Sequence, residues 1–190
     1  MKWRIPGTEL MIQRENADSV EEMFSSMFLA GGMVLSQVAS ITGLEPYTIQ
    51  NWVKRGFLPP PQRKRYTLRQ LCRILHINML KSVLPLEQIC GLLSYINGKL
   101  YDESDDIIDD SQLYFLFVRL AARARELDGP EAREKALTEA LANYEEPVPG
   151  AKERLEKALR IMLTAWMAAR MRHIAETLLQ ELENPEKEDI

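Results

Sequence analysis

Apolar residues along this chain recur at intervals of three and four and seldom alternate, so helices are expected throughout and no succession of strands. From Asp18 to about Ala30, "DSVEEMFSSMFLA" opens on an Asp or Ser cap and sets Met23, Met27 and Ala30 on one face. Gly31-Gly32 then breaks the pattern. Val34 to about Asn97 reads as four short helices with tight connections. The run "GKLYDESDDIIDD" holds six acids and one lysine and suits a solvated surface linker. Asp110 or Ser111 is the expected cap of a helix through "LYFLFVRLAARARELD", ended by Gly129-Pro130. A shorter helix is expected from about Glu131 to Tyr144, and a last one from Ala151 to about Glu183, ~50 Å long at 1.5 Å per residue.

The middle of that last helix, "ALRIMLTAWMAARM", is apolar on nearly every side and needs cover all round. Leu155, Leu159, Met162, Trp166 and Ala169 form a seam like that of a coiled coil, after which the apolar face drifts to Met171, Ile174, Leu178 and Leu182. A partner subunit is the economical cover, and a homodimer is expected; a compact monomeric bundle is the alternative. Trp166, Met162, Met167, Tyr114 and Phe117 suit either an apolar pocket for a small-molecule effector or ordinary core.

Within "VLSQVASITGLEPYTIQNWVKRGFL", Ser36 is an expected cap and Val38, Ala39 and Ile41 form an inner face. Gly43 supplies a left-handed turn, and Pro46 opens the next helix where its missing N–H costs nothing. Ile49, Trp52 and Val53 face inward, leaving Tyr47, Thr48, Gln50, Asn51, Lys54 and Arg55 outward. Helix, glycine turn and helix at this spacing predict a helix-turn-helix. Gln and Asn can bond adenine edges, while Lys, Arg, Tyr and Thr bind phosphates or guanine. "FLPPPQRKRYT" follows as a stiff turn whose tip carries Arg63, Lys64 and Arg65, the form of a basic wing.

Charge sharpens this picture. The chain's formal net charge is −4, yet between Met33 and Lys81 eight basic residues meet one acid, Glu45. A basic surface on an acidic molecule is what contact with a polyanion at one face demands. In the helix capped by Thr67, Arg69 and Arg73 are placed to reach phosphate. The expected partner is double-stranded DNA.

"LSQVASITGLEPYTIQNWVKRGFLPP…RYTLRQLCRI" resembles the DNA-binding domain of MerR-type regulators. "GLEPYTIQNWVKRGF", "YTLRQLCRILHINMLK" and "YINGKLYDESDDIIDDSQLY" further resemble a bacterial domain-of-unknown-function family, the YkrK-like proteins. The resemblance covers about Gly31 to Tyr114. It implies DNA contacts at Tyr47, Thr48, Gln50 and Asn51 and at Arg63, Lys64 and Arg65, and a role in transcription regulation, often repression. The wing is several residues shorter than in typical MerR proteins. The long dimerisation helix stands behind the acidic run and two further helices.

Other chemistries lack their residues. Cys72 and Cys90, in separate apolar stretches, suit reduced, buried thiols. His76 and His173 have no partner at ligand spacing, so no metal is expected and His76 reads as a groove or core residue. The acids have neither a phosphate loop nor a calcium-loop pattern beside them, so no enzyme and no cofactor is expected. No apolar run reaches the ~20 residues of a membrane span. The start "MKWRIPGTEL" lacks the apolar core of a secretion signal, so a cytoplasmic location is expected.

The expected fold is all-α, a MerR-like winged helix-turn-helix followed by a C-terminal helical dimerisation or effector region. The expected divisions are an N-terminal helical arm (1–32), the reader (33–97), an acidic linker (98–109) and the C-terminal helices (110–190). The expected function is a sequence-specific, homodimeric regulator of a pseudo-palindromic operator. A protein-interaction adaptor on the same fold is the alternative.

Overall fold

The computed structural model describes residues 2–124 and 129–183, and it is mainly helical. Two strands, β1 (Lys2–Arg4) and β2 (Met11–Gln13), pair antiparallel with Trp3 opposite Ile12. Helices follow at α1 (Val20–Met27), α2 (Leu35–Thr42), α3 (Pro46–Lys54), α4 (Leu68–Leu80), α5 (Leu86–Asn97), α6 (Asp110–Ala124), α7 (Pro130–Ala140) and α8 (Ala151–Glu183). The helix expected to run on to Asp128 is described to Ala124; residues 125–128 lie outside the described residues. Among the described residues no helix is long and apolar enough to cross a membrane.

Local chemistry accounts for most of these boundaries. Val34, extended at ψ 160°, is the cap residue of α2, and its N–H donates to Gln37 Oε1 at 3.0 Å. Ser36, the expected cap, instead lies in the first turn. Gly43 ends α2 at φ +67°, where a Cβ would come within 2.8 Å of Glu9. Leu44 is buried in the corner, and Pro46 takes the first position of α3. Thr67 caps α4 reciprocally: Gln70 N donates to Thr67 Oγ1 at 3.2 Å, and Thr67 N donates to Gln70 Oε1 at 2.9 Å.

Helix α4 is the axis of the molecule. It is buried on nearly every side, from Leu71 through Leu80, because α2, α5, α6 and α8 all pack on it. One apolar cluster runs from Trp3 to Trp166.

Residues 2–32 are helical only in part: α1 falls within the stretch expected to be helical, and a β-hairpin precedes it. Their β-hairpin sits on α4, with Trp3 and Ile5 buried. Asn78 Nδ2 donates at 2.8 Å to the carbonyls of both Gly7 and Thr42, joining the hairpin turn to the end of α2. The Tyr114 hydroxyl donates to the Pro6 carbonyl at 2.7 Å. Gly7, at φ +75°, approaches α4 so closely that a Cβ would lie 2.5 Å from the Leu75 carbonyl oxygen. Strands of three residues are too short to show alternation in the sequence, and tertiary packing creates them here.

Two further expectations change. The acidic run is not simply solvated: Ile107 and Ile108 are buried, and the Tyr144 hydroxyl donates to the Ile107 carbonyl at 2.6 Å. The seam Leu155–Leu159–Met162–Trp166 is buried against this chain's own helices. Phe117 and Trp166 meet edge to face with centroids 6.1 Å apart, and Tyr114, Phe117 and Met162 are core.

Candidate nucleic-acid interface

Helix α3 divides cleanly. Ile49 and Trp52 are buried, whereas Tyr47 is 75% exposed and Gln50 and Lys54 are exposed on the opposite side. Positions 47, 50 and 54 share a face by helical spacing, and 51 lies beside them. Thr48 and Asn51 are half-buried. Arg55 closes the helix: its Nη2 lies 2.6 Å from Glu87 Oε1, and its guanidinium stands 4.5 Å from the Phe57 ring centroid. An exposed pair of this kind contributes little stability, but it fixes where the cation points.

The proline turn is held from beneath by α4. Gln70 Nε2 donates to the carbonyls of Pro59 (3.2 Å) and Pro60 (2.9 Å), and Arg73 Nε donates to the Phe57 carbonyl at 3.1 Å. Leu58 and Tyr66 are buried at the two legs. Tyr66 and Met33 exchange backbone hydrogen bonds of 2.9 and 2.7 Å. Gly32 permits that approach, since a Cβ there would lie 2.9 Å from the Tyr66 carbonyl oxygen.

The tip is a tight hairpin. Arg65 N donates to the Gln62 carbonyl at 2.8 Å, and the two residues between have positive φ, Arg63 at 48° and Lys64 at 64°. Left-handed backbone at both central positions is the signature of a type I′ turn, which ordinarily selects Asn-Gly. An Arg-Lys pair accepts on the order of 1–2 kcal/mol of strain per residue, and strain of this kind accumulates at functional sites. Both side chains are exposed. Arg65, the third cation, is tethered by its Nη1 to the Gly32 carbonyl at 2.8 Å.

Arg69 is placed differently from expectation. Its guanidinium lies in the acidic run, where Nη2 bonds Asp106 Oδ2, Nη1 lies 3.3 Å from Asp109 Oδ2 and Nε 3.8 Å from Asp110 Oδ2. One turn on, the buried Arg73 reaches Asp110 at 3.4 Å. Asn97 Nδ2 donates to the other oxygen of Asp110 at 3.3 Å. Burial pushes the Asp110 carboxyl above the usual carboxylate range, with Arg73 and Arg69 opposing the shift. The acids that looked like solvated linker therefore clamp α6 to α4, directly behind the proline turn. The available signal was the pair of arginines four apart on a helix and a run of acids, although nothing in the sequence states that they meet.

His76 is wholly buried beside α6, edge-on to Tyr114 with centroids 5.6 Å apart, and neither ring nitrogen has a hydrogen-bond partner. Burial, helped by Arg73, lowers its pKa to about 3, so the ring is a neutral core group. Cys72 is a buried free thiol and Cys90 a half-buried one. Among the described residues no group of His, Cys, Asp and Glu is arranged to hold a metal ion.

Residues 5–117 match a family described as "Domain of unknown function (DUF1836)", and the chain belongs to that family. The matched region runs from the hairpin into α6, so it holds α3, the proline turn and the Arg–Asp clamp together. A relative from Bacillus subtilis (strain 168), "Uncharacterized protein YkrK", is 29% identical over 109 residues, 55% of this chain and 47% of the relative. The chain thus spans about half the length of that curated relative. No solved structure matches.

Proposed function

We propose that this member of the DUF1836 family is a sequence-specific DNA-binding transcription regulator, a homodimeric repressor of a pseudo-palindromic operator. In this reading α2, the Gly43 turn and α3 form a MerR-like helix-turn-helix, and residues 57–66 form its wing. The observation that carries the reading is the exposed Tyr47–Gln50–Lys54 side of α3, followed within ten residues by two cations on a strained turn, in a chain of net charge −4.

Gln50 and Asn51 read base edges in the major groove. Tyr47 and Thr48 contact phosphate, and Lys54, Arg55, Arg63, Lys64 and Arg65 neutralise the flanking backbone. Arg69 acts at one remove, by holding the acidic run against α4. A dimer would read two half-sites about one helical turn (~34 Å) apart or a multiple of it.

Selecting genomic fragments on the purified protein and sequencing them tests this. Enrichment of a few sites with two-fold symmetric half-sites is expected. Recovery of fragments in proportion to their input would contradict the proposal and favour an adaptor that docks an acidic protein surface.

A further inference from the structure

Past Trp166, helix α8 changes the side on which it is apolar. Leu155, Leu159, Met162 and Trp166 are buried in the body. At 3.6 residues per turn, Met171, Ala175, Leu178 and Leu182 fall on a narrow strip rotated by roughly 160° from that row. Their spacings of four, three and four are those of a heptad seam. This strip stands in water: Met171 is 62% exposed, Leu178 59% and Leu182 76%. Ile174 and Leu179, on its two borders, are 45% and 58% exposed. A continuous apolar strip on the free half of a helix marks an interaction surface.

We propose that two copies of this chain pair through this strip, with the two α8 helices antiparallel. The charges on its borders select both partner and direction. Arg170 and Glu181 lie on one border, Arg172 and Glu183 on the other. With Met171 opposite Leu182 and Ala175 opposite Leu178, Arg170 of one copy meets Glu181 of the second, and Arg172 meets Glu183. A parallel pair would set arginine against arginine and glutamate against glutamate. Both cations are already steadied: Arg170 stands 5.0 Å from the Trp166 ring centroid, and Arg172 lies 2.7 Å from Glu176 and donates to the Ser82 carbonyl. Ala175, near the two-fold axis, lets the helices approach, and the two bodies sit at opposite ends of the pair. The interface is a short one, so association depends on concentration.

This assigns a surface to the dimer of the proposed regulator, but it is measured without DNA, so either reading can fail alone. Sedimentation equilibrium of the full chain, from low micromolar to several hundred micromolar, should show a monomer–dimer equilibrium. Leu178→Asp should be monomeric throughout while keeping its circular dichroism and melting temperature, because the side chain touches solvent. In a Cys90→Ser background, Met171→Cys mixed with Leu182→Cys should form a disulfide-linked pair on oxidation, and neither alone should do so efficiently. A monomeric wild type, a dimeric Leu178→Asp, or self-linking by Met171→Cys in preference to the mixed pair would each overturn the proposal.

Discussion

Arg73 Nη1 lies 3.4 Å from Asp110 Oδ2, with both side chains buried, and this ion pair joins the helix behind the proline turn to the first residue of α6. The pair is sealed by Asn97 on the acid and by the Phe57 carbonyl on the arginine. Removing one partner strands the other in a low-dielectric site. Asp110→Ala should therefore lower unfolding free energy by about 3–5 kcal/mol, read from urea denaturation. Replacing both, as Arg73→Met with Asp110→Leu, should restore most of that stability.

The tip of the turn offers the opposite experiment. Arg63 and Lys64 occupy left-handed backbone that Asn and Gly adopt with little strain. Arg63→Asn with Lys64→Gly should raise stability by about 1–2 kcal/mol while weakening DNA binding. Thermal unfolding and fluorescence-anisotropy titration on the same preparation check both halves.

Salt dependence separates the free cations from the engaged ones. Every phosphate that a variant leaves unneutralised flattens the slope of log binding constant against log salt by ~0.9, so Arg63→Ala with Lys64→Ala should flatten it by about 2. Arg69→Gln should leave the slope unchanged, because that guanidinium is held by Asp106, Asp109 and Asp110. Its cost should appear in stability. Titrations at three or four salt concentrations decide.

His76 should dominate a pH effect. Its folded pKa is depressed to about 3 from an ordinary 6.5, so between those values the unfolded chain holds a proton that the folded chain lacks. The stability it contributes is fully present above about 6.5 and falls by about 1.4 kcal/mol per pH unit as the solution is acidified toward 3. His76→Phe should stabilise the protein at neutral pH by removing two unpartnered ring nitrogens. It should also flatten the pH profile below 6.5 relative to wild type, as measured by denaturation at pH 5 and 7.

The sequence showed most clearly what local rules dictate. Gly43, Pro46 and Thr67 mark turns and caps through their own backbone chemistry, and they stand where that chemistry places them. The span of α8 was legible because its apolar positions keep helical spacing from Leu155 to Leu182. What escaped depends on residues far apart in the chain. The hairpin exists because Asn78 and Tyr114 bond its turn from more than 70 residues away. The acids at 106–110 look solvated until α4 supplies Arg69 and Arg73. Ser36 has the right chemistry for a cap, but Val34 takes the position because Tyr66 pins Met33 just before it. Within the candidate interface, exposure of Gln50 and Lys54 followed from periodicity, whereas the positive φ angles at Arg63 and Lys64 follow from closing a two-residue hairpin between Tyr66 and the prolines.

Base reading by the outward face of α3 is best measured as a ratio of affinities, for a selected operator over a scrambled duplex at one salt concentration. Wild type is compared with Gln50→Ala and with Asn51→Ala. Loss of a base-edge hydrogen bond pair worth about 1–3 kcal/mol should cut that ratio by roughly five- to 150-fold and leave scrambled-duplex affinity unchanged. An unaltered ratio in both variants, with wild type discriminating, would place the reading head elsewhere and contradict the proposed function.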